Sequence, residues 1–193
     1  VTGRTHDLAA VTLLGVVVIV APIPSVTLAT ALLAVLANQI GGIIPDIDQP
    51  VAPLWRNLPI GGPIGKIIGK MLGGHRFITH SIIGAGVMCF LAYDLLRFLQ
   101  PILPNVDIDL VWCAFTIGVF SHLVMDSFTK EGVPWLLPIP IKFGFPPLKR
   151  LRITTGKWAE SLLIFPLLIA VDILLCVSQY EHIATLIHGQ LVR

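Results

Sequence analysis

The chain has 193 residues, of which 55% are hydrophobic and 12% charged, with a mean hydropathy of +0.87. That balance lies outside the range of soluble domains and makes lipid the expected solvent. The net charge is only +2, and no direct nucleic-acid contact is expected.

Five largely apolar runs follow in order, at 8–20, 26–44, 80–99, 110–128 and 162–180. Most approach the roughly 20 residues that a spanning helix needs. They predict an all-α, polytopic membrane bundle of about five spans, forming a single integral membrane domain over residues 1–193. The first run is short and ends before Pro22 and Pro24, so with the second it has an alternative as a re-entrant hairpin buried against the others. It is read as retained rather than as a signal peptide: Arg4 is its only basic residue, a second apolar run follows at once, and no small-residue cleavage site closes it. Val1 stands where Met is expected, as an alternative bacterial start codon or an arbitrary boundary would leave it. Cys89, Cys113 and Cys176 all fall inside apolar runs without C-x-x-C spacing, which predicts packing rather than disulfides or metal binding.

Five spans put the N-terminus and the loops 45–79 and 129–159 on one side. That side holds Arg4, Arg56, Lys66, Lys70, Arg76, Lys130, Lys142, Lys149, Arg150, Arg152 and Lys157, which is 11 of the 13 basic residues. The positive-inside rule makes it cytoplasmic, and a basic face beside headgroups also suits an anionic or phosphorylated substrate. The first loop, rich in Pro and Gly, is expected to be irregular or in short helical turns, except that Ile60 to Leu72 fits an amphipathic interfacial helix with Lys66 and Lys70 one turn apart. The segment Val133 to Pro147, rich in Pro, Trp and Phe and poor in charge, is expected in the headgroup region. The chain shows no internal repeat.

On this topology His6 starts the first span, Asp46 and Asp48 follow the second, His75 and His80 begin the third, His122 and Asp126 end the fourth, and Glu160 begins the fifth. All eight fall on the same face. Ionisable residues beside apolar spans are costly and normally paired or functional, so their convergence from separate helix ends points to a metal site for one or two divalent ions. His122 and Asp126 are four apart on a helix and share a face. His75 and His80 are five apart, but Gly73 and Gly74 indicate a loop that leaves His75 free to fold back. In Ile44-Pro45-Asp46-Ile47-Asp48-Gln49-Pro50 the prolines disfavour helix, so the two acids are expected to point the same way from an extended segment. Thr79 and Ser81 fit capping or hydrogen bonding better than catalysis. His182 and His188 belong to the opposite side and read as surface residues.

At these motifs the sequence resembles the YdjM-like family of bacterial inner-membrane proteins, to which metal-dependent hydrolysis and LexA binding are attributed. The resemblance rests on Thr5-His6, Ile44 to Pro50, Gly74-His75-Arg76-Phe77-Ile78-Thr79-His80-Ser81, Ser121 to Asp126, Thr129 to Pro134, and Thr155-Gly156-Lys157 through Glu160. Gln49 departs from the family, standing where a His often follows the second Asp, and Phe77-Ile78 replaces the usual Gly-Phe. The resemblance implies a bacterial inner-membrane, multi-pass protein. By analogy of sites the arrangement is similar to zinc-dependent phospholipases C and P1-type nucleases.

Together these readings favour a metal-dependent hydrolase of a phosphoester or lipid-linked substrate at the cytoplasmic face, using Zn or Mn. Arg76 is the expected bidentate phosphate holder and Lys157 its point-charge partner. The rival is a non-enzymatic, metal-stabilised membrane scaffold, or a regulator that binds a cytoplasmic partner. A metal transporter is disfavoured because the ligands cluster at helix ends rather than at the midplane. Membrane lipid is the expected partner, and the sequence assigns no oligomeric state.

Overall fold

The computed structural model describes residues 1–21, 26–139, 141–181 and 184. Seven α-helices run in order: α1 (Gly3–Val20), α2 (Leu28–Ile43), α3 (Pro53–Arg56), α4 (Gly61–Met71), α5 (Ile82–Leu99), α6 (Ile108–Ser127) and α7 (Phe165–Ser178). A 3-10 turn, Ile44–Asp48, prolongs α2, and a π turn, Glu160–Ile164, leads into α7. Among the described residues there is no strand, only two isolated bridges, Thr129 with Ile153 and Val133 with Phe143.

Five stretches are long and apolar enough to cross a membrane: Gly3–Val20, Leu28–Asp48, Ile82–Ile102, Ile108–Ser127 and Glu160–Ser178. The first is one unbroken helix about 27 Å long at 1.5 Å per residue, close to the ~30 Å of a hydrocarbon core. Its length therefore favours a span of its own over a hairpin. Pro22 and Pro24, which raised the hairpin alternative, lie outside the described residues, as do His182 and His188.

α6 is the hub. Half of its span is buried, with α1, α2 and α5 packed around it, whereas α7 leans on α1 and buries none of its own residues. The outer faces carry Leu32, Leu36, Phe90, Phe98, Leu167 and Leu174, all exposed, as lipid-facing positions should be. The core, Ala85, Cys89, Phe115, Val119, Leu123 and Val133, sits between α5 and α6. Cys89 is buried as expected of a packing residue, but Cys113 and Cys176 are exposed on the outer faces of their helices, and all three are free.

The tightest seam is between α2 and α6. A Cβ on Gly41 would run into the Phe115 carbonyl, and one on Gly118 into the Asn38 carbonyl. Small residues let the two backbones touch, the packing mode that replaces the hydrophobic effect inside a bilayer. Asn38 reinforces it by donating from Nδ2 to the Ala114 carbonyl at 3.1 Å. This seam sets the distance between the end of α2 and the end of α6, where the ionisable residues stand.

The first loop is mostly short helix. In α4 the buried glycines Gly61, Gly65 and Gly69 lie against Trp55, Pro50 and Asp48, while Ile67 and Met71 are exposed with Lys66 and Lys70 beside them. This is the amphipathic helix expected there. The second loop folds over the ends of α5 and α6: Val133 and Phe143 exchange two backbone hydrogen bonds of 2.8 Å, Ile82 donates to the Trp135 carbonyl, and Val133 enters the core. Phe143, Phe145, Leu148 and Leu151 stay exposed, consistent with a segment at headgroup level.

Candidate metal centre

His122 and Asp126 stand on the buried face of the last two turns of α6. His122 donates from Nδ1 to the Gly42 carbonyl at 2.6 Å, across the glycine seam. That bond fixes the ring's tautomer, leaving the Nε2 lone pair free to meet a cation.

The end of α2 turns on Pro45, the first-turn residue of the 3-10 segment, where its fixed φ and missing N–H are tolerated. The segment is helical, not extended, so the expectation that both acids point the same way fails. Asp46 turns inward, its Oδ1 lying 3.6 Å from His80 Nε2 and 3.6 Å from His122 Nε2. Asp48 turns to the loop before α5. There it accepts from His75 Nδ1 (3.0 Å), the Arg76 backbone N–H (3.0 Å) and the Thr79 hydroxyl. Two residues on a tight helix are far from eclipsed, which is why the pair divides its work.

Gly73 and Gly74 adopt positive φ (80° and 90°) and reverse the chain after α4, and Arg76 also has positive φ (58°). The bond from the Arg76 N–H to Asp48 holds that uncommon conformation. His80 follows, fully buried, just before α5, which Ser81 caps by accepting from the Gly84 N–H. The Thr79 hydroxyl lies 2.9 Å from His80 Nδ1 and donates to Asp48, so it accepts from the ring and relays the ring's N–H to the carboxylate. His80 Nε2 is thereby directed at Asp46 and Asp126 (3.6 and 3.5 Å). Burial by itself lowers the pKa of His80, but the negative charge of Asp126, Asp46 and Asp48 around the ring outweighs it and raises the pKa to about 10. The surroundings therefore favour positive charge at this point.

Four donor atoms face one another: Asp46 Oδ1, His80 Nε2, His122 Nε2 and Asp126 Oδ2. The four His-to-Asp separations are 3.5–3.8 Å. A tetrahedral ion with bonds of about 2.0–2.1 Å sets its ligand atoms about 3.3 Å apart, a spacing these His-to-Asp separations approach to within a few tenths of an ångström. Asp46, His80 and His122 form the group whose donor atoms all lie within 4.8 Å of one another, and Asp126 adjoins it through the two histidines. Both histidine nitrogens and Asp126 Oδ2 are buried without a hydrogen-bond partner, a costly state for polar atoms unless a cation satisfies them. These residues fit a divalent ion. His6–His122–Asp126 and Asp48–His75–His80 also place donor atoms close together. The three groups overlap through His80 and His122 instead of standing as separate sites.

The remaining expected residues take other places. His6 is buried at the start of α1, stacked on the His122 ring at 3.7 Å, with Nε2 3.2 Å from Asp126 Oδ1. That oxygen also meets the Val1 nitrogen (2.8 Å) and Arg76 Nη2 (2.7 Å). Arg76 is buried, its Nη1 donating to Thr129 (2.7 Å) and lying 3.3 Å from Glu131, so the guanidinium is tied to the protein's own carboxylates instead of being free for a phosphate. Glu160 is not brought into the donor set. Its Oε1 accepts from the Thr2 N–H and the Thr2 and Thr5 hydroxyls, and its Oε2 from the Gly156 N–H, all at 2.6–2.7 Å, which straps the start of α7 to the start of α1. Lys157 is exposed and stands apart from the donors. Two further cationic side chains, Lys66 and Lys70, are exposed on α4. With His75 and Asp48 they line a cleft of ≈ 630 Å³ beside the cluster. Their spacing on a helix was legible in the sequence. What was not is that the glycine face of α4 would turn them toward the loop 73–75.

The chain matches the family described as YdjM inner membrane protein over residues 1–183. It is 28% identical over 134 residues to the uncharacterized protein YvsG of Bacillus subtilis (strain 168), a match covering 69% of this chain and 72% of that protein. It is 32% identical over 107 residues to inner membrane protein YdjM of Escherichia coli (strain K12), covering 55% of this chain and 50% of that protein, and the Shigella flexneri protein of the same name matches equally. The match thus spans about half the length of those two relatives. No solved structure matches.

The donor geometry predicts one divalent ion per chain in protein purified without chelator, and a lower melting temperature once the ion is stripped. Asp46→Asn, which removes a charged donor, lowers metal affinity by about tenfold or more, whereas Glu160→Gln leaves the metal content at one. Metal analysis by mass spectrometry checks both. A Glu160→Gln protein that loses its metal as readily as Asp46→Asn would put Glu160 back among the ligands.

Proposed function

We propose, for a chain that belongs to the YdjM inner membrane protein family and is a multi-pass inner membrane protein, the function of a metal-dependent hydrolase acting on a phosphoester or related bond at the membrane surface. The observation that carries this reading is the set of four donors, three of them buried without partners and the fourth, Asp46, half-buried, beside a cleft lined by lysines. Asp46, His80, His122 and Asp126 would hold the ion. A divalent ion so held supplies Lewis acidity toward a substrate oxygen and lowers the pKa of water.

The chain's own groups would do the rest. Lys66 and Lys70 neutralise an anionic group entering the cleft. His75 is partly exposed there (31% for its side chain), and Asp48 takes its Nδ1 at 3.0 Å, which orients the ring and leaves Nε2 as the nitrogen that exchanges a proton. Arg76 and His6 hold Asp126 in place from the far side. One observation favours a structural ion instead: four protein donors complete a tetrahedral ion and leave it no open position. A six-coordinate ion such as Mn would keep two positions for water and substrate, so the identity of the metal bears directly on the choice.

We place the cluster at the cytoplasmic face, because 11 of the 13 basic residues flank that end of the bundle. Asn57→Cys should be modified by an impermeant thiol reagent in inverted vesicles and spared in intact cells; labelling from outside intact cells reverses the orientation. Hydrolysis is tested with a panel of phosphodiesters and phospholipids using the metal-loaded protein. His75→Gln should keep its ion and its melting temperature while turnover drops by about 10²-fold, the size of a lost general acid or base. A wild-type protein that binds its ion but turns over nothing in the panel, or a His75→Gln variant with full turnover, removes the hydrolytic assignment and leaves the structural one.

A further inference from the structure

α2 and α5 both lean on α6 without packing extensively on each other, and the space between them is a groove of ≈ 470 Å³. Phe115, 8% exposed, forms its floor, with Ile40 and Ile44 on one wall and Val87, Leu91 and Leu95 on the other. The α5 wall runs from Gly84 to Leu95, about 16 Å at 1.5 Å per residue. That equals the depth of one leaflet, half of a hydrocarbon core of ~30 Å. Thr79 is the one hydroxyl-bearing residue on the lining, and the same hydroxyl bonds Asp48 and lies 2.9 Å from His80 Nδ1. The groove therefore ends at the donor cluster. Asp48 also lines the cleft that carries Lys66 and Lys70.

We propose that this groove binds one hydrocarbon chain of a phosphate-bearing lipid from the same leaflet, with the phosphate seated in the Lys66 and Lys70 cleft beside the cluster. The assignment deepens the proposed function and rests on it for the fate of the lipid, though not for the binding. The lining selects the occupant. It is apolar along a wall one leaflet deep and carries a polar residue, Thr79, at one end, the pattern of a hydrocarbon chain with a polar head. Charge selects the headgroup: Thr79 of the groove donates to Asp48, which lines the cleft together with Lys66 and Lys70, so a lipid with a neutral head gains nothing from the cleft. The chain enters sideways from the bilayer, and its polar end arrives at the donors without crossing water.

The test uses full-length, metal-loaded protein in vesicles of phosphatidylethanolamine and phosphatidylglycerol, doped with phosphatidic acid that carries a photoreactive diazirine in mid-chain. Adducts should be enriched several-fold on Ile44, Met88 and Leu91 over Leu167 and Leu174 of α7, which are at least as exposed. Excess unlabelled phosphatidic acid should remove the enrichment, and diacylglycerol should not. Ala92→Trp, which fills the groove, and the double variant Lys66→Ala/Lys70→Ala should each abolish the enrichment while metal content stays at wild-type level. Adducts spread evenly over α5 and α7, or equal competition by diacylglycerol, would overturn the proposal by showing only annular lipid. Because wild-type competition is decisive alone, a variant that fails to fold does not blunt the test. Metal content measured on the same samples separates the two readings. Metal retained with even labelling sinks the groove alone, whereas specific labelling of a metal-free protein sinks the hydrolase and leaves the groove.

Discussion

Three carboxylates, those of Asp46, Asp48 and Asp126, stand at one end of a bundle otherwise built of hydrocarbon, and the last two are almost wholly buried. Withdrawing such charge from water costs several kcal/mol per group unless opposite charge and hydrogen bonds replace the solvent. The local structure is organised around meeting that cost. Asp48 is satisfied by protein alone, through His75, Arg76 and Thr79. Asp126 is satisfied on one oxygen only, by Val1, His6 and Arg76, and its second oxygen faces two imidazole nitrogens that also lack partners. Asp46 faces the same two nitrogens. Three unpartnered polar atoms thus meet at one spot, and a divalent cation is the species that would satisfy them together.

Backbone packing makes that spot possible. Gly41 and Gly118 allow α2 and α6 to touch, and the contact brings the Gly42 carbonyl to His122 and carries the 3-10 turn to within reach of it. A side chain at either glycine would push the end of α2 away and open the donor set along with the seam. At the other end of the design, Glu160 acts without approaching the donors. By gathering Thr2, Thr5 and Gly156 it holds the start of α1, and with it His6, against Asp126. Ordering an irregular approach to the membrane by such side chain to backbone bonds is what keeps the site rigid on otherwise short connections.

Much of this was legible in the sequence. Hydropathy alone locates the spans, and the placement of His6, Asp46, His80, His122 and Asp126 at alternate helix ends puts them on one face from the sequence order itself. The i, i+4 spacing of His122 and Asp126 translated directly into a shared face. What sequence could not resolve was direction. Pro45 disfavours an α-helix, but it equally permits a 3-10 turn, and that choice separates Asp46 from Asp48. Arg76 reads as a phosphate holder from its type and position, yet its left-handed backbone turns it to Asp126. Glu160 carries no local sign that its oxygens are taken, because its partners are two threonines and two backbone N–H groups from the far end of the chain and the preceding turn. The groove between α2 and α5 is a property of which helices fail to meet, and no local pattern encodes that.

The central claim is that one ion is held by two imidazoles and two carboxylates, and metal-edge X-ray absorption on the purified protein tests it most directly. The account predicts a first shell of nitrogen and oxygen at about 2.0–2.2 Å, with the outer-shell scattering of two histidine rings, and loss of one ring's contribution in His80→Ala. A shell containing sulfur, a shell of oxygen atoms without imidazole scattering, or a spectrum unchanged by His80→Ala would contradict it.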